Sequence, residues 1–144
     1  MENDTISLLQ ECDSGSKMAV SSIDEVLDKI KDKEMFNILK ESKSHHEKIC
    51  DEIHQIIEEN EKEEKEPSKI AQGMSWLKTN ILISLDKEDS TIAKLMTEGC
   101  NMGVQSLSEY LNNHGCADQK SKDICERLIK IEDKLAKDLR PYLA

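Results

Sequence analysis

The sequence predicts an all-α protein built as a bundle of four long helices. Apolar residues recur at alternating spacings of three and four along almost the whole chain, which is the pattern of packed helical seams. Charged residues make up 35% of the sequence and aromatic residues only 3%, a composition that suits long helices better than sheets. The length of 144 residues fits one domain, so we predict a single helical domain over residues 1–144.

The first two predicted helices follow each other across a short charged turn at residues 31–33. The first covers about residues 4–31, and its seam comprises Leu9, Cys12, Ser16, Ala19, Ile23, Val26 and Ile30. The second covers about residues 33–65, and its seam comprises Leu39, Ser42, His46, Ile49, Ile53 and Ile56. Residues 58–66 are almost entirely charged, and we interpret them as a solvated helix end rather than a cation-binding tail.

Three further helices are predicted after Pro67. A shorter helix at about residues 68–85 lies in the connection, and its apolar positions are Ile70, Met74, Leu77, Ile81 and Leu85. The next helix covers about residues 90–113, and its inward positions are Ala93, Met96, Cys100, Val104, Leu107 and Leu111. Gly115 favours a helix end there. The last helix covers about residues 118–139, and its seam comprises Ile124, Leu128, Ile131, Leu135 and Leu139.

Charge and cysteine usage exclude several classes of partner. The formal net charge is −10, so the chain should repel phosphate backbones and anionic lipids, and we expect neither nucleic acid nor membrane as a partner. The most apolar stretch, residues 76–85, is too short to cross a bilayer, and residues 1–9 carry no signal-peptide pattern. The five cysteines include no Cys-x-x-Cys pair, which favours reduced thiols in the cytoplasm.

A short motif occurs twice, and with its context it resembles a known family. The features that carry the resemblance are Leu8-Leu9, Cys12-x-x-Gly15, Trp76 in the connecting helix and Cys100-x-x-Gly103. Over residues 8–139 the chain resembles the ferritin-like superfamily, and within it a bacterial family classed as a domain of unknown function. The resemblance implies an up-down four-helix bundle of two helical hairpins, with a short helix in the long crossover. It also implies a homodimer, because ferritin-like chains often pair through their helices.

The resemblance also implies a metal centre whose ligands this chain lacks. In that superfamily two helices each supply one Glu, and two others each supply Glu-x-x-His, to a di-iron or di-manganese site. Here the lone Glu positions carry Ser16 and Val104, and the second-helix Glu-x-x-His would fall near His46-x-x-Ile49. The last helix contains no histidine, and we expect Glu126 and Glu132 beside its seam rather than on it. We therefore predict that the di-metal ligands are lost and that no cofactor is bound.

Three side chains of the second helix suggest an alternative, a single transition-metal ion. His46, Cys50 and His54 follow one another at four-residue spacing, and imidazole and thiolate ligands suit zinc or copper. The competing interpretation is a structural His46, hydrogen-bonded to Ser16 or Ser42, with His54 at the bundle edge. We favour the structural interpretation, because no second helix offers obvious further ligands.

Cys116 is the cysteine best placed for redox chemistry, since it lies in the turn after the third bundle helix, close to His114. Cys12 and Cys100 lie on seams and are expected to behave as small apolar residues.

No set of residues predicts a catalytic site. We therefore predict a non-enzymatic structural or interaction bundle. The alternatives are a metal-binding protein for metal handling or oxidative stress, with a degenerate site around His46, and a thiol redox sensor acting through Cys116.

Overall fold

The computed structural model describes residues 3–60 and 88–144, and these residues form four long α-helices. They are α1 (Asn3–Leu27), α2 (Lys33–Glu59), α3 (Asp89–Asn113) and α4 (Gln119–Leu139), and a 3₁₀ turn, Arg140–Tyr142, follows α4. The predicted all-α four-helix bundle is confirmed. The helix predicted at residues 68–85, with Trp76, lies outside the described residues. None of the four described helices is long and apolar enough to cross a membrane.

Two buried clusters, one in each half of the bundle, define the directions of the helices. One cluster joins the beginnings of α1 and α4 to the later parts of α2 and α3. The other joins the ends of α1 and α4 to the beginnings of α2 and α3. The helices of each hairpin are therefore antiparallel, whereas α2 and α3 run in the same direction. The chain thus leaves α2 at one end of the bundle and enters α3 at the other, as in bundles with one long crossover.

Hydrogen bonds from backbone N–H groups to polar side chains hold the two ends of the bundle together. The Asp89 carboxylate, at the start of α3, accepts bonds from the backbone N–H groups of Lys31 and Asp32 at 2.9 and 2.8 Å. Asp32 in turn caps α2 by accepting a bond from the Met35 N–H at 2.9 Å. At the opposite end, the Asp118 N–H donates to the Thr5 hydroxyl at 2.8 Å. An N-cap such as Asp32 stabilises its helix by about 1 kcal/mol.

Two predicted helix ends differ from the observed ones. The prediction continued the first helix to residue 31, but α1 ends at Leu27, and the Lys29 N–H closes a tighter turn onto Val26 O at 2.9 Å. The earlier end leaves the N–H groups of residues 31 and 32 available to Asp89. The second helix was predicted to residue 65, but α2 ends at Glu59, with Asn60 as its C-cap. Residues 61–65 of that prediction lie outside the described residues.

Candidate functional site

A buried histidine–glutamate pair links α2 to α4. His46 is fully buried, and its Nε2 lies 2.7 Å from Glu132 Oε1. Its Nδ1 lies 2.7 Å from the backbone oxygen of Ser42. A carbonyl oxygen can only accept, so Nδ1 carries a proton and donates it. A second proton must lie between Nε2 and the carboxylate, because two acceptors would repel each other at that distance. The pair therefore carries no net charge, whichever atom holds that proton.

Opposing effects set the pKa of His46. Burial alone would lower the pKa, since it disfavours the charged imidazolium. The hydrogen bond and the negative charge of Glu132, together with the Ser42 carbonyl, outweigh burial and raise the pKa above its usual value. The interaction is therefore best described as an imidazolium–carboxylate pair inside the bundle.

Glu132 was predicted to lie beside the seam, and this prediction was wrong. The residue is only 8% exposed and belongs to the core face of α4, whereas Ile131, which was placed on the seam, is only partly buried. The buried positions Leu128, Glu132, Leu135 and Leu139 keep the spacing of four, three and four that defines a helical seam. This spacing could have placed Glu132 on the seam from the sequence alone. A charged residue, however, rarely occupies a buried position without a partner. Glu126, on the opposite side, is exposed.

Of the two serines predicted as hydrogen-bond partners of His46, Ser42 is confirmed and Ser16 is not. Ser16 is fully buried, but its Oγ lies 2.8 Å from Cys12 O, and the Cys50 thiol donates to it at 3.1 Å. Ser42 does contact His46, mainly through its backbone oxygen, since its Oγ is farther away at 3.4 Å.

A second polar cluster joins α1 to α2. Asp13 is 4% exposed, and one carboxylate oxygen accepts a bond from Lys17 Nζ at 2.8 Å. The other oxygen lies 3.2 Å from His54 Nε2. The partly exposed His54 therefore contacts α1 through Asp13.

The three residues of the metal hypothesis have separate partners. His46 contacts Glu132 of α4, whereas Cys50 and His54 contact Ser16 and Asp13 of α1. Each four-residue step along a helix rotates the side chain by about 40°, which separates the first and last of the three. Burial also raises the pKa of the Cys50 thiol, which disfavours the thiolate that binds metals. Within residues 3–60 and 88–144, no group of three or more His, Cys, Asp or Glu side chains is arranged to hold a metal ion.

Cys116 is exposed in the turn between α3 and α4, and its backbone N–H donates to an Asp4 carboxylate oxygen at 3.0 Å. Its neighbour His114 donates through Nδ1 to Tyr110 O at 2.7 Å and stacks on the Tyr110 ring, with the centroids 5.0 Å apart. The described contacts of His114 are thus with Tyr110. The redox function of Cys116 stays a prediction.

A cavity of about 360 Å³ lies between α1 and α3, with part of α4 as its floor. Short side chains or glycines line it on both helices: Gly15, Ala19 and Ser22 on α1, and Gly99, Gly103 and Ser106 on α3. Larger apolar side chains complete the walls: Met18, Ile23, Met96, Met102, Leu107 and Leu135. The glycines of both Cys-x-x-Gly motifs line the cavity, so the repeat supplies space rather than ligands.

The buried pair borders this cavity. A Cβ atom placed on Gly103 would lie 3.5 Å from Glu132 Oε2, so the glycine leaves room beside the carboxylate. The pKa of the Cys100 thiol is raised well above its usual value. Burial is the largest cause, and the nearby Glu132 carboxylate adds to it. Cys100 is therefore expected to stay a protonated thiol. At the floor of the cavity, Glu132 and Cys100 are lining residues, and His46 holds Glu132 from behind.

No family model, curated protein or solved structure matches the chain. The ferritin-like resemblance therefore stays a prediction based on its short motifs. At the two positions where it implies lone carboxylate ligands, Ser16 is buried and Val104 is partly buried.

Replacing Gly15 by alanine is expected to raise the free energy of unfolding by about 0.5–1 kcal/mol, because glycine in a helix interior is entropically costly. The new Cβ would lie 3.9 Å from a Leu128 methyl and 4.0 Å from a Leu107 methyl, which is ordinary contact. Urea unfolding measures the change. Ala19→Gly in the same helix is the control and should lose about 1 kcal/mol. A less stable Gly15→Ala protein would show that α1 and α4 are closer than described.

The contribution of His46 to stability should depend on pH. Its pKa is raised in the folded state, so its stabilising effect is fully present below about pH 6.5, the unfolded value, and is lost as pH rises through the folded pKa. The unfolding free energy of wild type relative to the double variant His46→Leu with Glu132→Met, in which neither partner titrates, should therefore fall from pH 6 towards pH 9. His45→Leu, at a partly exposed position of α2, controls for the loss of a histidine. A difference that grows over this range would contradict the imidazolium assignment.

Proposed function

We propose that the protein is a non-enzymatic binding bundle that takes up an apolar small molecule in the cavity between α1 and α3. The observation that carries this proposal is the cavity itself. Its volume of about 360 Å³ falls within the range of small-molecule pockets, which is roughly 300–1,000 Å³. Like such pockets, it combines mostly apolar walls with a few polar groups.

The placement of the cavity on regular helices supports binding without large rearrangement. Gly15 and Gly103 lie in the interiors of α1 and α3, so the space is built into the helix surfaces rather than into loops. The ion pair between His46 and Glu132 ties the floor to α2. A preformed cavity lowers the ordering cost of binding.

The reactive groups at the floor favour binding over turnover. Glu132 is occupied by His46, and Cys100 is held as a thiol, whereas a nucleophilic cysteine needs its thiolate. The metal-binding and redox alternatives, the homodimer and the cytoplasmic location stay predictions.

The experiment is a titration with N-phenyl-1-naphthylamine, a neutral apolar dye that fluoresces more strongly out of water. Wild type should bind the dye, and Ala19→Phe should weaken binding by about tenfold or more, because the ring occupies the cavity. Ser21→Phe is the matched control, since it adds the same ring at an exposed position of α1. It should bind like wild type.

Circular dichroism checks that each variant folds, and Ala19→Leu, with a smaller side chain, provides a second filled cavity. Equal binding by wild type and both filled variants would overturn the proposal. A wild type that binds no dye would also overturn it, including where another part of the chain or a second copy occupies the cavity.

A further inference from the structure

We propose that the ligand of this cavity carries a neutral hydroxyl group on an apolar body, and that this hydroxyl donates a hydrogen bond to Glu132 Oε2. This inference rests on the proposed binding function and adds the chemical class of the ligand, an apolar alcohol or phenol. Its basis is a buried carboxylate whose second oxygen borders the cavity.

The Glu132 carboxylate is engaged through one oxygen and can accept a further bond through the other. Glu132 lines the cavity although the residue is only 8% exposed. Its Oε1 lies 2.7 Å from His46 Nε2, and this is the hydrogen bond that the structure describes for the carboxylate. A carboxylate has about four acceptor positions, and the thiol of the neighbouring Cys100 is at best a weak donor. A ligand hydroxyl would therefore be a stronger partner for Oε2.

Gly103 leaves this oxygen uncovered. A Cβ atom on Gly103 would lie 3.5 Å from both Oε2 and the carboxyl carbon of Glu132, so a side chain at this position would cover one side of the carboxylate. Gly103 itself lines the cavity. The second Cys-x-x-Gly motif thus leaves a charged acceptor beside a mostly apolar space.

The acceptor is held in place before a ligand arrives. His46 is fully buried, and its Nδ1 donates to the Ser42 backbone oxygen at 2.7 Å, which fixes the orientation of the ring. The ring in turn holds Glu132 through Oε1. A ligand that bonds to Oε2 therefore orders little of the protein, which lowers the free-energy cost of binding.

The charges at the floor favour a neutral donor. A ligand carboxylate has no proton to donate to Glu132 and would be repelled by it. Because His46 and Glu132 together carry no net charge, an ammonium group beside them would be a buried charge without a counter-charge. A hydroxyl brings no charge, and its bond to an ionised acceptor is about twice as strong as a neutral one. Glu11 and Glu109 also line the cavity, but at half-buried and exposed positions, where water competes for a cation.

Isothermal titration calorimetry with three naphthalene probes tests the inference at pH 7 and high salt, which screens the net charge of the protein. The probes are 1-naphthol, 1-fluoronaphthalene and 1-naphthylmethylammonium, which share one ring system and differ in the polar group. Wild type should bind 1-naphthol about tenfold more tightly than either of the other two probes.

A matched pair of glycine variants locates the hydrogen bond. Gly103→Ala places a methyl group beside Oε2 and should remove most of the preference for 1-naphthol over 1-fluoronaphthalene. Gly15→Ala is the control, since it adds the same methyl group at another lining glycine, next to methyl groups of Leu107 and Leu128. It should keep the preference.

A double variant removes the acceptor itself. His46→Leu with Glu132→Met replaces the pair by two apolar side chains and is expected to fold. It should bind 1-naphthol no more tightly than 1-fluoronaphthalene. A preference for 1-naphthol that survives in this variant would overturn the inference, because another group would then accept the bond.

The remaining outcomes separate this inference from the proposed function. Equal binding of 1-naphthol and 1-fluoronaphthalene by wild type, both lost in Ala19→Phe, would overturn the hydroxyl inference and keep the binding function. Tightest binding of 1-naphthylmethylammonium, or an equal loss of preference in Gly103→Ala and Gly15→Ala, would overturn the inference in the same way. Failure of all three probes to bind, together with the dye, would overturn both proposals.

Discussion

Replacing Glu132 by alanine is expected to lower the free energy of unfolding by about 3–5 kcal/mol. The substitution removes the carboxylate 2.7 Å from His46 Nε2 and leaves a fully buried imidazole whose described hydrogen bonds are all to Ser42. The folded protein must then keep an unpaired buried charge or release its proton, and both cost free energy. Urea unfolding at pH 6 measures the loss where the pair contributes fully. Glu126→Ala, at an exposed position of α4, is the control and should change stability by less than about 0.5 kcal/mol.

A double variant distinguishes the pair from simple loss of packing. His46→Leu combined with Glu132→Met replaces both partners by apolar side chains and should be close to wild type in stability, or more stable. The double variant should therefore lose far less than the sum of the two single variants, which defines their coupling. Additive losses would contradict the description of His46 and Glu132 as one buried unit.

Replacing Leu128 by alanine is expected to cost about 2–5 kcal/mol. Leu128 is fully buried in the cluster that joins the beginnings of α1 and α4, and one of its methyl groups lies beneath Gly15. Removing its isobutyl group takes apolar surface out of the core and leaves a void that rigid neighbouring helices fill only partly.

The matched control is Leu143→Ala, since Leu143 is 42% exposed after the last helix. It should change the unfolding free energy by less than about 0.5 kcal/mol. Similar losses for the two leucines in urea unfolding would contradict the position of Leu128 in the core.

The fold could be predicted because seam spacing is a direct consequence of helix packing. Leu39, Ile53 and Leu128 were placed inside by their spacing and are fully buried. The end of α1 could not be predicted the same way, since it depends on Asp89, a residue distant in sequence that binds the backbone at residues 31 and 32. Contacts between residues distant in sequence leave no periodic pattern from which a helix end could be predicted.

The site was harder to predict than the fold. His46 was identified from the sequence as a buried structural histidine, but its partner Glu132 was placed beside the seam, because Ile131 was placed on it. A buried carboxylate becomes acceptable only through a cation that the chain brings from another helix.

The cavity was missed for a different reason. The Cys-x-x-Gly repeat showed where the small residues were, but spacing alone does not tell whether two glycine surfaces meet or leave a space between them.

The most direct test of ligand binding between α1 and α3 uses the methionine methyl groups as reporters. Met18, Met96 and Met102 line the cavity, whereas Met35 is fully buried and is not a lining residue. The protein would be labelled with ¹³C at its methionine methyl groups and titrated with N-phenyl-1-naphthylamine in a two-dimensional NMR experiment. We predict that the signals of Met18, Met96 and Met102 shift together with one saturation curve, while the signal of Met35 stays in place. Unchanged signals for the three lining methionines, or an equal shift of Met35, would contradict binding in this cavity.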